Sequence, residues 1–120
     1  MKTATGWLKA IVLGFGLLAA NVLPAYYYDS VTTAGSVYSN GSVSAPTGTL
    51  IEWELHASSS YGSANIWISG GGVSVSDFAG PGQSTYGLAN TSSATSVGYT
   101  LYVTGGGWPD ASTAFIVFEW

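Results

Sequence analysis

Apolar and polar positions alternate most cleanly at Leu50-Ile51-Glu52-Trp53-Glu54-Leu55-His56. Ile51, Trp53 and Leu55 fall on one face of an extended chain, and Glu52, Glu54 and His56 on the other. The pattern predicts a β-strand whose apolar face packs on a second layer. Shorter pieces repeat the theme. Asn65–Ser69 predicts a strand stopped by Gly70-Gly71-Gly72, and Val73–Phe78 another, with Val73, Val75 and Asp77 on one side. Gly80-Pro81-Gly82 breaks that strand. Ser84–Leu88 reads as a weaker strand and Asn90–Ser96 as a polar loop. Tyr99–Thr104 is a strong strand ended by Gly105-Gly106-Gly107. Both glycine runs read as loose turns; neither precedes a helix or a lysine, so neither is a phosphate loop. Ala114–Trp120 is apolar on both faces, as expected of a central strand covered on both sides. Upstream, Tyr26–Thr33 is rich in the aromatic and β-branched residues that suit a pleated surface. Between Val37 and Val43, Asn40-Gly41 has the composition of a two-residue hairpin turn.

No stretch after Ala25 has helical periodicity. Roughly six to eight short strands between Gly, Pro and Ser turns predict an all-β fold, a Greek-key or jelly-roll β-sandwich. Ile66–Gly72 and Leu101–Gly107 match in type at every position: aliphatic, aromatic, aliphatic, hydroxyl, then three glycines. Two copies cannot stack into an array, so they read as similar strand-turn units within one sandwich.

The first residues follow a different pattern. Lys2 and Lys9 precede the apolar run Ala10–Ala20, and Asn21-Val22-Leu23-Pro24-Ala25 ends on a small residue. This is the order of a secretory signal, with cleavage expected after Ala25 or, second, after Ala20. The other reading is a retained anchor. A helix over Ala10–Ala25 would span roughly 24 Å, short of a ~30 Å hydrocarbon core. The expected division is therefore a signal segment at 1–25, an extended arm at 26–45 and a sandwich domain at 46–120.

Charge sharpens the picture. Only 7% of residues are charged, against ~25% in ordinary soluble domains. Both cations, Lys2 and Lys9, lie in the signal segment. Nothing beyond them can neutralise phosphates, which excludes a nucleic-acid partner, and no membrane association is expected after cleavage. The chain has no cysteine, so no disulfide framework exists. Together these features predict a secreted protein.

The candidate chemistry is sparse. Glu52, Glu54 and His56 share a strand face, and paired carboxylates can serve glycoside hydrolysis. No Arg or Lys stands by to stabilise charge, and i, i+2, i+4 spacing spreads the three too far to converge on a metal. No catalytic residue, metal or cofactor is expected, and the three read as the wet side of a sheet. The aromatics Tyr26–Tyr28, Tyr61, Tyr86, Trp67 and Trp108 could form a carbohydrate platform, since flat rings stack on sugars. The preferred reading instead places Trp53, Trp67 and Trp120 in the core and the tyrosines at interfaces. Asn40-Gly41-Ser42 and Asn90-Thr91-Ser92 are glycosylation sequons, which makes Asn40 and Asn90 candidate modification sites and glycans a further partner.

The missing charges point to assembly. Monomeric β-proteins guard their sheet edges with lysines, inward charges or prolines. Here the edges have no lysine after Lys9, and a strand-prone arm follows the signal. The simplest function is strand addition, in which one subunit's arm completes its neighbour's sheet and a head-to-tail homopolymer grows. Strand parity selects Tyr27, Val31 and Val37 as the arm residues that enter an acceptor groove, with Asp29 at its rim. Ile51, Trp53, Ile66, Val103 and Phe118 are the expected groove lining.

With its signal segment, extended arm and cysteine-free sandwich rich in Ser, Thr, Gly and aromatics, the chain resembles the thread and bundling-pilus subunits of thermophilic archaea. Fibres of some archaeal viruses and bacterial biofilm matrix fibres are similar in plan. The resemblance covers most of the chain and rests on layout and composition. It implies subunits joined by donor-strand complementation, with Tyr26–Val37 as the donor arm, on a cell or virion surface, and it implies no catalytic residues. The alternatives are a secreted carbohydrate-binding or adhesive module and, last, a small secreted glycoside hydrolase using Glu52 and Glu54.

Overall fold

The alternation of Leu50–His56 becomes a central strand of an eight-stranded β-sandwich. A computed structural model describes residues 25–120. The expected signal segment, Met1–Ala25, lies outside the described residues except for Ala25. The strands are β1 (Tyr26–Thr32), β2 (Tyr38–Ala45), β3 (Leu50–His56), β4 (Ser63–Gly70), β5 (Val73–Ala79), β6 (Ser84–Asn90), β7 (Thr95–Thr104) and β8 (Thr113–Glu119). They form two antiparallel sheets, ordered β1-β8-β3-β6 and β2-β7-β4-β5. This is the jelly-roll form of the expected sandwich.

The pairing follows one rule. β4 pairs with β5, β3 with β6, β2 with β7 and β1 with β8. The chain is thus one long hairpin, folded over on itself, whose apex is the β4–β5 turn. Gly71 and Gly72 form that turn with φ of 65° and 84°. Positive φ at both central positions is what a two-residue hairpin needs, and glycine adopts it without a Cβ clash. The run expected as a loose turn is therefore tight, and it is docked: the Ser92 amide donates to the Gly71 carbonyl at 2.8 Å.

The hairpin expected at Asn40-Gly41 is not there. Both residues lie within β2, opposite Thr100 and Tyr99. Gly41 serves packing instead, because a Cβ on it would stand 2.8 Å from the Tyr99 hydroxyl. The two look-alike units end up as neighbours. β4 and β7 pair antiparallel with Ile66 opposite Leu101.

The core lies between the sheets, built from alternate residues such as Ile51, Leu55, Ile66, Ile68, Leu101, Ile116 and Phe118. Trp53 joins it over Gly87, where a Cβ would meet the indole at 2.3 Å, and its Nε1 donates to Asp77 Oδ2 at 2.8 Å. Trp67 and Trp120 stay outside the core, at 45% and 40% exposure. On β4 the parity that buries Ala64, Ile66 and Ile68 sends Trp67 outward. β8 is central, as expected, but among the described residues no layer covers its outer face. Val117 is buried there by its own sheet, in register between Tyr28 and Glu52.

Candidate functional site

β1 and β2, expected as a single arm, are edge strands of opposite sheets. β1 places Tyr27 opposite Phe118, Asp29 opposite Ile116 and Val31 opposite Ala114. Strand parity turns these three toward the sandwich: Val31 is buried in its core, Asp29 is half-buried, and Tyr27 stays 40% exposed at the rim.

Three aromatic rings meet at this seam. The centroids of Tyr27 and Tyr99 are 6.1 Å apart, those of Tyr27 and Phe118 6.2 Å, and those of Tyr99 and Phe118 5.9 Å. Their polar ends form a chain. The Tyr99 hydroxyl donates to Asp29 Oδ2 at 2.7 Å. Its single proton is then used, so the Tyr27 hydroxyl, 2.7 Å away, donates to Tyr99. Ser39 Oγ donates to the same Asp29 oxygen at 2.5 Å, and the Ser30 amide caps the other at 2.8 Å. Burial, with the hydrogen bonds to Tyr27 and Asp29, pushes the Tyr99 phenol far above its ordinary range. Three strands, β2, β7 and β8, therefore lock β1 into place, and Gly41 leaves the room that the Tyr99 ring needs.

A link over Thr33–Val37 joins β1 to β2 and is pinned at both ends. Thr33 Oγ1 donates to the Gly106 carbonyl and accepts from the Ser112 amide. The Val37 carbonyl accepts from the Val103 amide at 3.0 Å. The Val37 side chain departs from its expected role: it lies beyond β1 and is 43% exposed. Of the expected groove residues, the structure brings Phe118 directly against β1. Ile51, Trp53, Ile66 and Val103 are all buried, on β3, β4 and β7. The sequence reading missed Tyr99, Ser39 and Gly41.

Glu52, Glu54 and His56 project from the outer face of the other central strand, β3. That face is less wet than expected, because Glu52 lies in register between Val117 and Leu88, and Glu54 between Phe115 and Tyr86. Glu52 Oε2 accepts from the Tyr86 hydroxyl at 3.2 Å. Its Oε1 is shielded from solvent without a hydrogen-bond partner among the described residues. Desolvation first, then the Glu52 charge, raises the Tyr86 phenol above its ordinary value. His56 Nδ1 lies 3.0 Å from Ser84 Oγ. Among the described residues no group of three or more His, Cys, Asp or Glu could hold a metal ion. Both sequon asparagines are exposed, Asn40 within β2 and Asn90 at the end of β6.

No known protein family matches the chain, and no curated protein does. Among solved structures it is similar to a subunit of Bacillus endospore appendages, described as disulfide-linked pili. That match has 13% identity and a TM-score of 0.43, covering 83% of this chain and 91% of the other. It is also similar to a carbohydrate-binding module in complex with β-1,4-galactotriose, with 11% identity, a TM-score of 0.47, and coverage of 81% and 87%. A third likeness is a carbohydrate-binding module of a Cellvibrio mixtus lichenase in complex with cellotriose, with 18% identity, a TM-score of 0.36, and coverage of 80% and 73%. Among the described residues no helix is long and apolar enough to cross a membrane.

Proposed function

We propose that this chain is the structural subunit of an extracellular filament, polymerising by exchange of β1 between neighbours. The observation that carries this reading is the seam. β1 is an edge strand that buries Val31 in the core and lays Tyr27 against Tyr99 and Phe118, and it pairs with the strand most distant from it in sequence. A neighbouring β1 in the same register would offer the same Tyr27, Asp29 and Val31 to the same Phe118, Tyr99 and Ser39. Exchange thus replaces every seam contact by its equal, as in domain swapping. Opening the Thr33–Val37 link would let one subunit's β1 reach the next, and repetition head to tail gives a thread. Extended backbone pairing, with several buried anchors, makes such a joint durable.

The absence of cysteine allows a clean test. Thr32 and Thr113 are register partners on β1 and β8. Subunits carrying only Thr32→Cys are mixed with subunits carrying only Thr113→Cys, assembled and oxidised. Exchange predicts disulfide-linked pairs on non-reducing gels, with threads visible by electron microscopy. Unlinked subunits within intact threads would show that β1 stays on its own β8, and would end the exchange reading.

A further inference from the structure

The outer face of the β2-β7-β4-β5 sheet carries no Asp, Glu, Lys, Arg or His. Across its middle runs a shallow trough of about 450 Å³. Trp67 forms one wall. The hydroxyls of Thr100, Ser69, Ser74 and Ser76 surround a floor left open at Gly98.

Gly98 is the telling residue. The other interior strand glycines next to aromatic rings are needed: a Cβ at Gly41 or Gly87 would collide with Tyr99 or Trp53. A Cβ at Gly98 would find its nearest neighbours, the carbonyl oxygens of Gly41 and Ser69, at 3.8 and 3.9 Å, which is ordinary contact. Nor does Gly98 have a positive φ. Neither packing nor backbone geometry asks for glycine here, and glycine weakens a strand interior. What it leaves is room for a close approach from outside.

The chemistry of the trough selects the visitor. An anion would find no cation, and a cation no carboxylate. A purely apolar partner would strand four hydroxyls without partners. A peptide strand adds at a sheet edge, where backbone groups are free, not at the middle of a face. A sugar ring fits both halves: its C–H face suits the indole, and its hydroxyls pair with groups that donate and accept. We propose that this trough binds a neutral polysaccharide chain, with one ring stacked on Trp67 and its edge seated over Gly98. The site stands on the outer face of the sheet, while the seam lies on its inner face; the two share the backbone at Gly41 and Tyr99 but none of the side chains that do the work, so the trough adds adhesion to assembly.

Protein with unmodified Asn40 is titrated with cellohexaose, xylohexaose and mannohexaose, and with polygalacturonate as a charged control, by calorimetry and amide NMR. At least one neutral hexaose is expected to bind and to shift Gly98 and Thr100 resonances. Trp67→Ala and Gly98→Val should each weaken binding about tenfold or more. Gly98→Val should keep or raise the thermal midpoint, which separates a blocked trough from a damaged fold. Trp108→Ala, which alters an exposed ring outside the strands, should bind like the unaltered protein. The proposal is overturned if none of the three hexaoses binds at millimolar concentration, if only polygalacturonate binds, or if Gly98→Val binds normally. Concentration-dependent burial of Trp67 without sugar binding would assign the face to self-association and overturn it equally.

Discussion

Asp29 shows how much a single side chain depends on residues far along the chain. Its parity on β1 could be read from the sequence, and so could its place beside the entering Tyr27 and Val31. Its partners could not. Asn40-Gly41 has the composition of a turn, but glycine is also demanded wherever a ring lies across a strand, and no local pattern separates the two. Tyr99 supplies that ring, so Tyr99→Phe tests the seam. Removing its hydroxyl takes one donor from Asp29 and the acceptor from Tyr27, at an expected cost of about 1–3 kcal/mol near neutral pH. The sign with pH follows from the raised phenol. A phenol whose folded pKa exceeds its unfolded value of 10.0 holds its proton more tightly in the folded state. That contribution is complete below pH 10 and is lost progressively as pH rises beyond it. Urea denaturation from about pH 8 to about 11 should show stability falling above pH 10, with a shallower fall in Tyr99→Phe. Glu52 gives the opposite case. Its alternation was legible, but the apolar flanks of Val117 and Leu88 were not, because they come from the adjoining strands. Its shielded Oε1 carries a desolvation cost, so Glu52→Met should raise stability by about 1 kcal/mol. A loss in Glu52→Met would mean that the carboxylate is satisfied in a way the geometry does not show.

Element boundaries and inward faces were readable wherever strict alternation met a glycine or proline break, as at β3, β4 and β5. Misreadings arose where several strands act together. Ala114–Phe118 is apolar on both faces, which suggests two covering layers. The second cover is instead supplied within its own sheet by Tyr28, whose ring stands 5.8 Å from that of Phe115, and by Glu52 beside Val117. The nested order of pairing also has consequences. The β4–β5 pair closes over a two-residue turn, whereas the β1–β8 pair closes nearly the whole described chain. Closure entropy rises with the logarithm of loop length, so the outermost pair has the weakest intrachain advantage. β1 also has only one sheet neighbour, while β4 and β7 have two. Amide hydrogen exchange should therefore show the lowest protection in the Tyr26–Thr32 amides bonded to β8, and the highest in β4 and β7. Equal protection across all three would show that β1 does not open separately and would remove the route by which it could be exchanged.

At the scale of the molecule, the scarcity of charge was the clearest signal in the sequence, and it concerns association more than fold. The partner of the seam could not be read, because pairing within a chain and between chains uses the same residues in the same register. Salt and denaturant respond differently to the two steps that assembly by exchange requires. Encounter between subunits is not steered by opposite charges, since no Lys or Arg follows Lys9 and the acids are few. Raising salt from about 0.05 M to about 1 M shortens the Debye length from over 10 Å to about 3 Å and removes long-range steering. Filament growth should change little across that range, with at most a modest rise as residual acid–acid repulsion is screened. Opening of β1 exposes Tyr27, Val31, Phe118 and the Tyr99–Asp29 pair, so mild urea should promote it by solvating apolar and peptide groups. Elongation seeded with preformed threads should therefore speed up at low urea and slow again as the whole sandwich unfolds. An excess of a peptide spanning Tyr26–Thr33 should cap growing ends by filling the open seam. Growth that depends steeply on salt, falls steadily from the first addition of urea and ignores the peptide would identify a docking of intact faces in place of strand exchange.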